Sequence, residues 1–180
     1  MNEITGDLFE VAKNGYDAFC ITTNGHVKDV GSLTMGRGTA GLAAERWPDL
    51  PYVLGEKTRR KGHMVHVLEA REFGERGRAA VPAPYLVAFP TKPAYTVVDC
   101  MRVPGWKGPA KLDLIELSAV ELVMAIGAYS WSKVLLPRPG AGAGTGNLPW
   151  GDVQELLEHV FRRWKVEHVV DIISLDERQL

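Results

Sequence analysis

Cysteine is scarce in this chain of 180 residues: Cys20 and Cys100 are the two it has, too few for a disulfide framework. Cys20 lies inside the apolar run DAFCITT, where a buried free thiol is the expected state. Excess charge is missing as well. Lysine and arginine total 21 and aspartate and glutamate 22, a formal net charge of −1. No global field therefore drives the chain toward nucleic acid or an anionic membrane. The one compact basic run, Arg59-Arg60-Lys61, reads as the solvated end of a helix. No stretch approaches the roughly 18 apolar residues of a membrane span. The opening MNEITGDLFE has neither the basic nor the apolar region of a signal peptide, so a cytoplasmic protein without a membrane partner is expected. Repeats and low-complexity tracts are absent. With 46% hydrophobic and 24% charged residues, the composition is that of an ordinary globular domain, and residues 1–180 are expected to form one. Zinc-type spacing is missing among the five histidines and two cysteines. His63 and His66 fall three apart on a predicted strand and would face opposite sides, so no metal is expected.

What the chain does have is an alternation of short apolar runs with longer amphipathic ones. AFCITT (18–23), HMVHVLEA (63–70), YLVAFP (85–90), KVLLP (133–137) and EHVVDIIS (167–174) read as strands. GTAGLAAERW (38–47), PYVLGEKTRRKG (51–62), the segment 112–130 and WGDVQELLEHVFRRW (150–164) read as helices. The charged, Gly-containing REFGERGRAA (71–80) is predicted as a turn. Such alternation predicts an α/β layered fold around a largely parallel, buried sheet. In such sheets ligands gather at the carboxyl ends of the strands, where loops turn into helices.

Both glycine-rich segments occupy such turns. In NGHVKDVGSLTMGRGTAG (24–41), Gly36, Gly38 and Gly41 match a dinucleotide-binding spacing. However, about a dozen loop residues separate them from the strand, and no acid-tipped second strand follows, so the context that motif requires is missing. A helix starting near Gly38 would instead offer unpaired backbone amides and its positive dipole end to an anion. Packing is the simpler use of the same glycines. The second turn, RPGAGAGTGN (138–147), repeats the arrangement between a strand and a helix. Two such turns suggest a ligand with an extended phosphate group, and a diphosphate fits.

Four blocks in order, ITGDLFE (4–10), MGRGTAGLAAERWP (35–48), FPTK (89–92) and LPRPGAGAGTGNLPW (136–150), resemble the macrodomain family. Within it they are most similar to the branch holding the DarG antitoxins and the human terminal ADP-ribose glycohydrolase. The resemblance implies a three-layer α/β/α fold with a mixed, largely parallel central sheet, and ADP-ribose as ligand with no further cofactor. It implies that Asp7 accepts from the adenine amine and that the Leu8 backbone supports the adenine. Asn24 would reach the distal ribose. Gly36, Arg37, Gly38 and Thr39 would cradle the diphosphate and distal ribose from one side, with Met35 also among the ligand-binding residues. Pro139, Gly140, Ala141, Gly142, Ala143, Gly144, Thr145, Gly146 and Asn147 would enclose the phosphates from the other. Lys92, with Asn24, would stand at the anomeric carbon as the catalytic pair.

The implied activity is hydrolysis of the bond between ADP-ribose and an attached group, on ADP-ribosylated DNA or on an ADP-ribosylated protein carboxylate. A non-catalytic ADP-ribose reader and an ADP-ribose 1″-phosphate phosphatase are the alternatives. Departures from the branch stand out. The stretch between Gly142 and Trp150 is longer than the branch usually has, Ala141 replaces a frequent cysteine, and no acid precedes Asp152 in the second loop. Read without the resemblance, Asp7 is a helix cap or turn residue, Asn24-Gly25 a turn dipeptide, and Lys92 a solvated lysine. The tryptophans read as core or interface, with Tyr95 or Trp106 as candidates for the substrate entrance.

Overall fold

The computed structural model describes residues 1–141 and 147–175. The chain runs through β1 (Asn2–Gly6), α1 (Leu8–Ala12), β2 (Ala18–Asn24), α2 (Gly38–Arg46), α3 (Leu50–Lys61), β3 (His66–Glu69) and β4 (Tyr85–Lys92). It continues through β5 (Tyr95–Val98), β6 (Met101–Pro104), α4 (Leu112–Tyr129), β7 (Val134–Pro137), α5 (Trp150–Arg163) and β8 (Val170–Leu175). Among the described residues, six strands form one sheet in the order β1-β8-β7-β2-β4-β3. Every pairing in it is parallel except β3 with β4.

Side chains alternate across each central strand, and both faces are apolar. Phe19 and Ile21 of β2, with Leu86 of β4 and Leu135 of β7, pack beneath α1, α2 and α3, around the fully buried Trp47, Leu50 and Leu54. Cys20, Val87, Phe89 and Leu136 face the other way, onto Ile115 and Leu122 of α4 and Val153 and Leu157 of α5. Helices therefore cover both faces, giving the three-layer α/β/α arrangement with a mixed, largely parallel sheet. Burial on both faces explains why these strands read as continuous apolar runs.

The structure differs from the sequence reading in four places. β4 continues two residues past Pro90, because its pairing with β2 survives a register shift after Thr23 and sets Asn24 opposite Lys92. β3 starts only at His66, so His63 lies outside it. β1 and α1 form from a segment too short to show periodicity. The residues after Lys92 are not a plain loop but an antiparallel hairpin, β5 with β6.

The helix boundaries have local causes. α2 stops at Trp47, before Pro48, which cannot continue a helix. α3 stops at Gly62, whose φ of 92° favours glycine. Because β1, β8, β7, β2 and β4 are parallel, Gly6, Asn24, Lys92 and Pro137 all end at one edge of the sheet.

Candidate functional site

At that edge, Asp7 joins β1 to α1 as the helix N-cap. Its Oδ1 accepts from the amides of Phe9 at 2.8 Å and Glu10 at 3.0 Å, which satisfies two of the donors a helix start leaves unpaired. Leu8, beside it, is wholly buried.

Asn24 closes β2 and clasps the loop that follows. Its Nδ2 donates to the Thr34 carbonyl at 2.8 Å, and its Oδ1 accepts from the His26 amide at 2.9 Å. The His26 ring in turn meets the Thr34 hydroxyl at 2.8 Å. The loop is thus held shut at its neck, and it delivers Met35, Gly36 and Arg37 to the start of α2.

The three glycines there have different uses. Gly38 has a φ of 58°, a left-handed conformation at the first helical residue. Gly41 lets the loop lie on the helix, since a Cβ there would stand 3.0 Å from the Gly36 carbonyl carbon. Gly36 is open and exposed. Thr39 is buried, and its Oγ1 accepts from the Thr22 amide at 3.0 Å, pinning α2 to β2 through its hydroxyl. Met35 is buried in the core beneath α1 to α3. Arg37 is exposed at the N-cap position and makes no side-chain cap, so the positive end of α2 faces this loop.

Lys92 is half-buried opposite Asn24 on the adjoining strand. Burial, with the Arg37 guanidinium nearby, holds its ammonium below the usual lysine range. Desolvation and a like charge both disfavour the protonated amine, so the two causes act together.

The second turn leaves β7 at Pro137. Arg138 donates to the Glu3 carboxylate at 2.7 Å, and its guanidinium lies 4.9 Å from the centroid of the Trp150 ring at the start of α5. Pro139 is buried. Gly140 has a φ of 72°, and a Cβ on it would come within 2.9 Å of both Ala110 and Ile115. Its carbonyl accepts from the Leu148 amide at 3.1 Å, which closes the neck of the loop between Ala141 and Asn147. Asn147 is itself left-handed at φ 55°. Gly142, Ala143, Gly144, Thr145 and Gly146 lie outside the described residues.

Sequence reasoning missed the hairpin, whose base is closed by one backbone bond and whose return is tied to this edge by another. The Gly105 amide donates to the Ala94 carbonyl at 2.8 Å and the Lys111 amide to the Thr91 carbonyl at 3.0 Å. Tyr95 meets His26 edge-on at 5.5 Å. The signal was present only as exposed β-branched residues flanking Asp99-Cys100.

His63 lies before β3 rather than on it, so the strand alternation expected to part it from His66 does not apply. His63 packs where a Cβ on Gly25 would meet its ring, close enough to His66 for their charges to oppose each other. Among the described residues, no group of three or more His, Cys, Asp or Glu could hold a metal.

The basic run Arg59-Arg60-Lys61 does end a helix, α3, though not wholly in solvent. Arg59 donates to the Lys28 carbonyl at 2.8 Å. A groove of about 320 Å³ lined by Lys57, Glu69, Arg71 and Tyr129 belongs to the opposite end of β4, since Glu69 pairs with Tyr85. Two ion pairs, Lys57 with Glu72 and Arg71 with Glu69, lie along it, and Lys61 lines it as well.

The architecture is that of a macrodomain. The chain aligns with the solved macrodomain of Mycobacterium tuberculosis DarG at a TM-score of 0.68 and 23% identity, covering 96% of this chain and 95% of that one. The macrodomain of Thermus aquaticus DarG gives the same figures, and a macrodomain of Oceanobacillus iheyensis gives a TM-score of 0.64 at 13% identity, covering 97% of this chain and 84% of that one. In sequence, the chain is similar to the DNA ADP-ribosyl glycohydrolase of Mycobacterium tuberculosis, 26% identical over 129 residues. That match covers 72% of this chain and 32% of the relative, so the chain spans about a third of the curated protein it resembles. No family model matches the chain.

Proposed function

We propose that this macrodomain binds ADP-ribose along the carboxyl edge of its sheet and hydrolyses the bond between the distal ribose and an attached group, a DNA base or a protein carboxylate. The observation that carries the reading is the juxtaposition of Lys92 and Asn24 on adjoining strands, beside the Gly36–Thr39 turn and Arg37. Asp7 and Leu8 serve the adenine, and the residues from Pro139 to Asn147 the far side of the diphosphate. The relative's name, DNA ADP-ribosyl glycohydrolase, favours a nucleic-acid adduct. A solved DarTG of Thermosipho africanus in complex with ADP-ribose, with a TM-score of 0.67 at 20% identity covering 100% of this chain and 43% of that one, favours the ligand.

Lys92 acts in its neutral form. The amine attacks the anomeric carbon, a C–N bond forms as the bond to the attached group breaks, and that group departs with the electron pair and takes up a proton. Water then cleaves the C–N bond and restores the lysine. The step needs no cofactor. Arg37 keeps Lys92 deprotonated at lower pH than burial alone would.

Lys92→Ala should lower kcat by at least about a hundred-fold while ADP-ribose still binds. Arg37→Gln should move the rising limb of the rate profile to higher pH, because removing a positive neighbour raises the lysine pKa. Initial rates on a thymidine-linked and a glutamate-linked adduct across pH measure both effects. Undiminished activity in Lys92→Ala ends the lysine's role.

A reader without catalysis is the second reading, favoured by the engagement of both Asn24 side-chain atoms within its own loop. ADP-ribose binding with no release from either adduct, or from ADP-ribose 1″-phosphate, would select it.

A further inference from the structure

The hairpin β5–β6 leaves the sheet directly beyond Lys92 and returns to it, yet its own side chains mostly face solvent. Val97 is 69% exposed and Met101 64%, and Tyr95 and Trp106 keep exposed ring surface beside them. Cations lie over both rings. The Arg102 guanidinium is 4.3 Å from the Tyr95 centroid, and Lys107 Nζ is 5.4 Å from that of Trp106.

The local charge departs from that of the whole chain. Between Lys92 and Lys111 stand Arg102 and Lys107 as well, against Asp99 alone, in a protein whose formal net charge is −1. Arg102, Lys107 and Lys111 are all exposed. Flat aromatic and guanidinium surfaces interleaved with cations are what a single strand of nucleic acid uses. Its unstacked bases lie on the rings and its phosphates pair with the cations. A duplex keeps its bases stacked and would use only the charges, and an acidic peptide offers carboxylates to the cations but no row of unstacked bases to the rings.

We propose that this hairpin, with the turn through Trp106, is a docking surface for single-stranded DNA, holding the strand that flanks the modified base at Lys92. The inference rests on the proposed function for the modified nucleotide itself, but the docking of unmodified strand stands apart from hydrolysis. The hairpin is placed for the task because its root is bonded to Thr91 and Ala94 and Tyr95 touches His26 of the Asn24 loop. A strand lying on it leads straight to the reacting edge.

The test is the fluorescence polarisation of a short, labelled, unmodified single-stranded oligodeoxynucleotide with the full chain, at low and at moderate salt. ADP-ribose binding is followed separately by calorimetry. Wild type should bind the strand more tightly than a duplex of the same sequence, with affinity falling as salt rises. The Arg102→Glu/Lys107→Glu double variant should weaken it by about ten-fold or more and flatten the salt dependence. It should leave ADP-ribose binding and the thermal midpoint as in wild type. Arg102→Gln should give a smaller loss in the same direction.

Strand affinity within two-fold of wild type in the double variant overturns the inference. So does tighter binding of the duplex or of a polyglutamate peptide, or no strand binding by a wild type that does bind ADP-ribose. Failure of wild type to bind ADP-ribose overturns the proposed function instead.

Discussion

His63 takes its chemical state from neighbours that are distant in sequence. It lies against Gly25 of the turn after β2, and burial, with His66 next to it, lowers its pKa from 6.5 to about 4. His66 is lowered too, by burial and by Lys57 and Lys61, despite the opposing bond to the Gly62 carbonyl. The His63 ring is therefore neutral in the folded protein near pH 6, whereas in the unfolded chain it titrates near 6.5, and His66 is shifted in the same direction. Between about pH 6.5 and about pH 4 the unfolded state binds protons that the folded state refuses, so stability falls as pH falls through that window. The urea midpoint should drop from pH 7 to pH 5, and the drop should shrink in His63→Gln. An equal drop in the variant would mean that other groups carry it.

The same scale shows why the site residues carry little signal of their own in the sequence. Nothing local distinguishes Thr39 as a phosphate contact from Thr39 as the hydroxyl that bonds the Thr22 amide. Asp7 met its simpler description as a helix cap. The closeness of Arg37 to Lys92 depends on two strands and a loop, and no spacing in the sequence encodes it.

At the scale of elements, the buried parallel strands and the long helices were legible because their apolar patterns are set by burial, on both faces for β2, β4 and β7 and on one face for α5. β5 and β6 were not legible. Their hairpin turns at Asp99-Cys100 with φ values of 48° and 63°, positions at which Asn-Gly or Asp-Gly is the usual signal, and the hairpin faces solvent rather than the core.

Gly55 was equally hidden, since a glycine within a helix reads only as a weak helix former. A Cβ there would run into the Gly31 carbonyl and come within 2.9 Å of the Leu33 amide, so α3 lies backbone against backbone on the loop that Asn24 clasps. Gly55→Ala should cost about 1–3 kcal/mol, although alanine favours helix more than glycine does. Chemical denaturation measures it, and a stabilised variant would show that the loop yields freely.

At the scale of the whole molecule, the described residues form two apolar cores, one on each face of a shared sheet. Leu54 of α3 is fully buried in one and Leu157 of α5 in the other. β2, β4 and β7 contribute alternate residues to both, Phe19 to the first and Cys20 to the second, for instance. Neither core can lose its sheet without exposing the other, so the chain should unfold as one cooperative unit, as single domains commonly do. Leu54→Ala and Leu157→Ala should each cost about 2–5 kcal/mol. Each should lower one common transition, seen alike by far-ultraviolet circular dichroism and by tryptophan fluorescence. Trp47 reports from the first core and Trp131 from the second, so the fluorescence samples both. A variant that split the two signals would mean that the faces melt separately, and then the carboxyl edge would not be rigid. Asn24 and Lys92 belong to strands common to both cores, and their register depends on both faces staying packed.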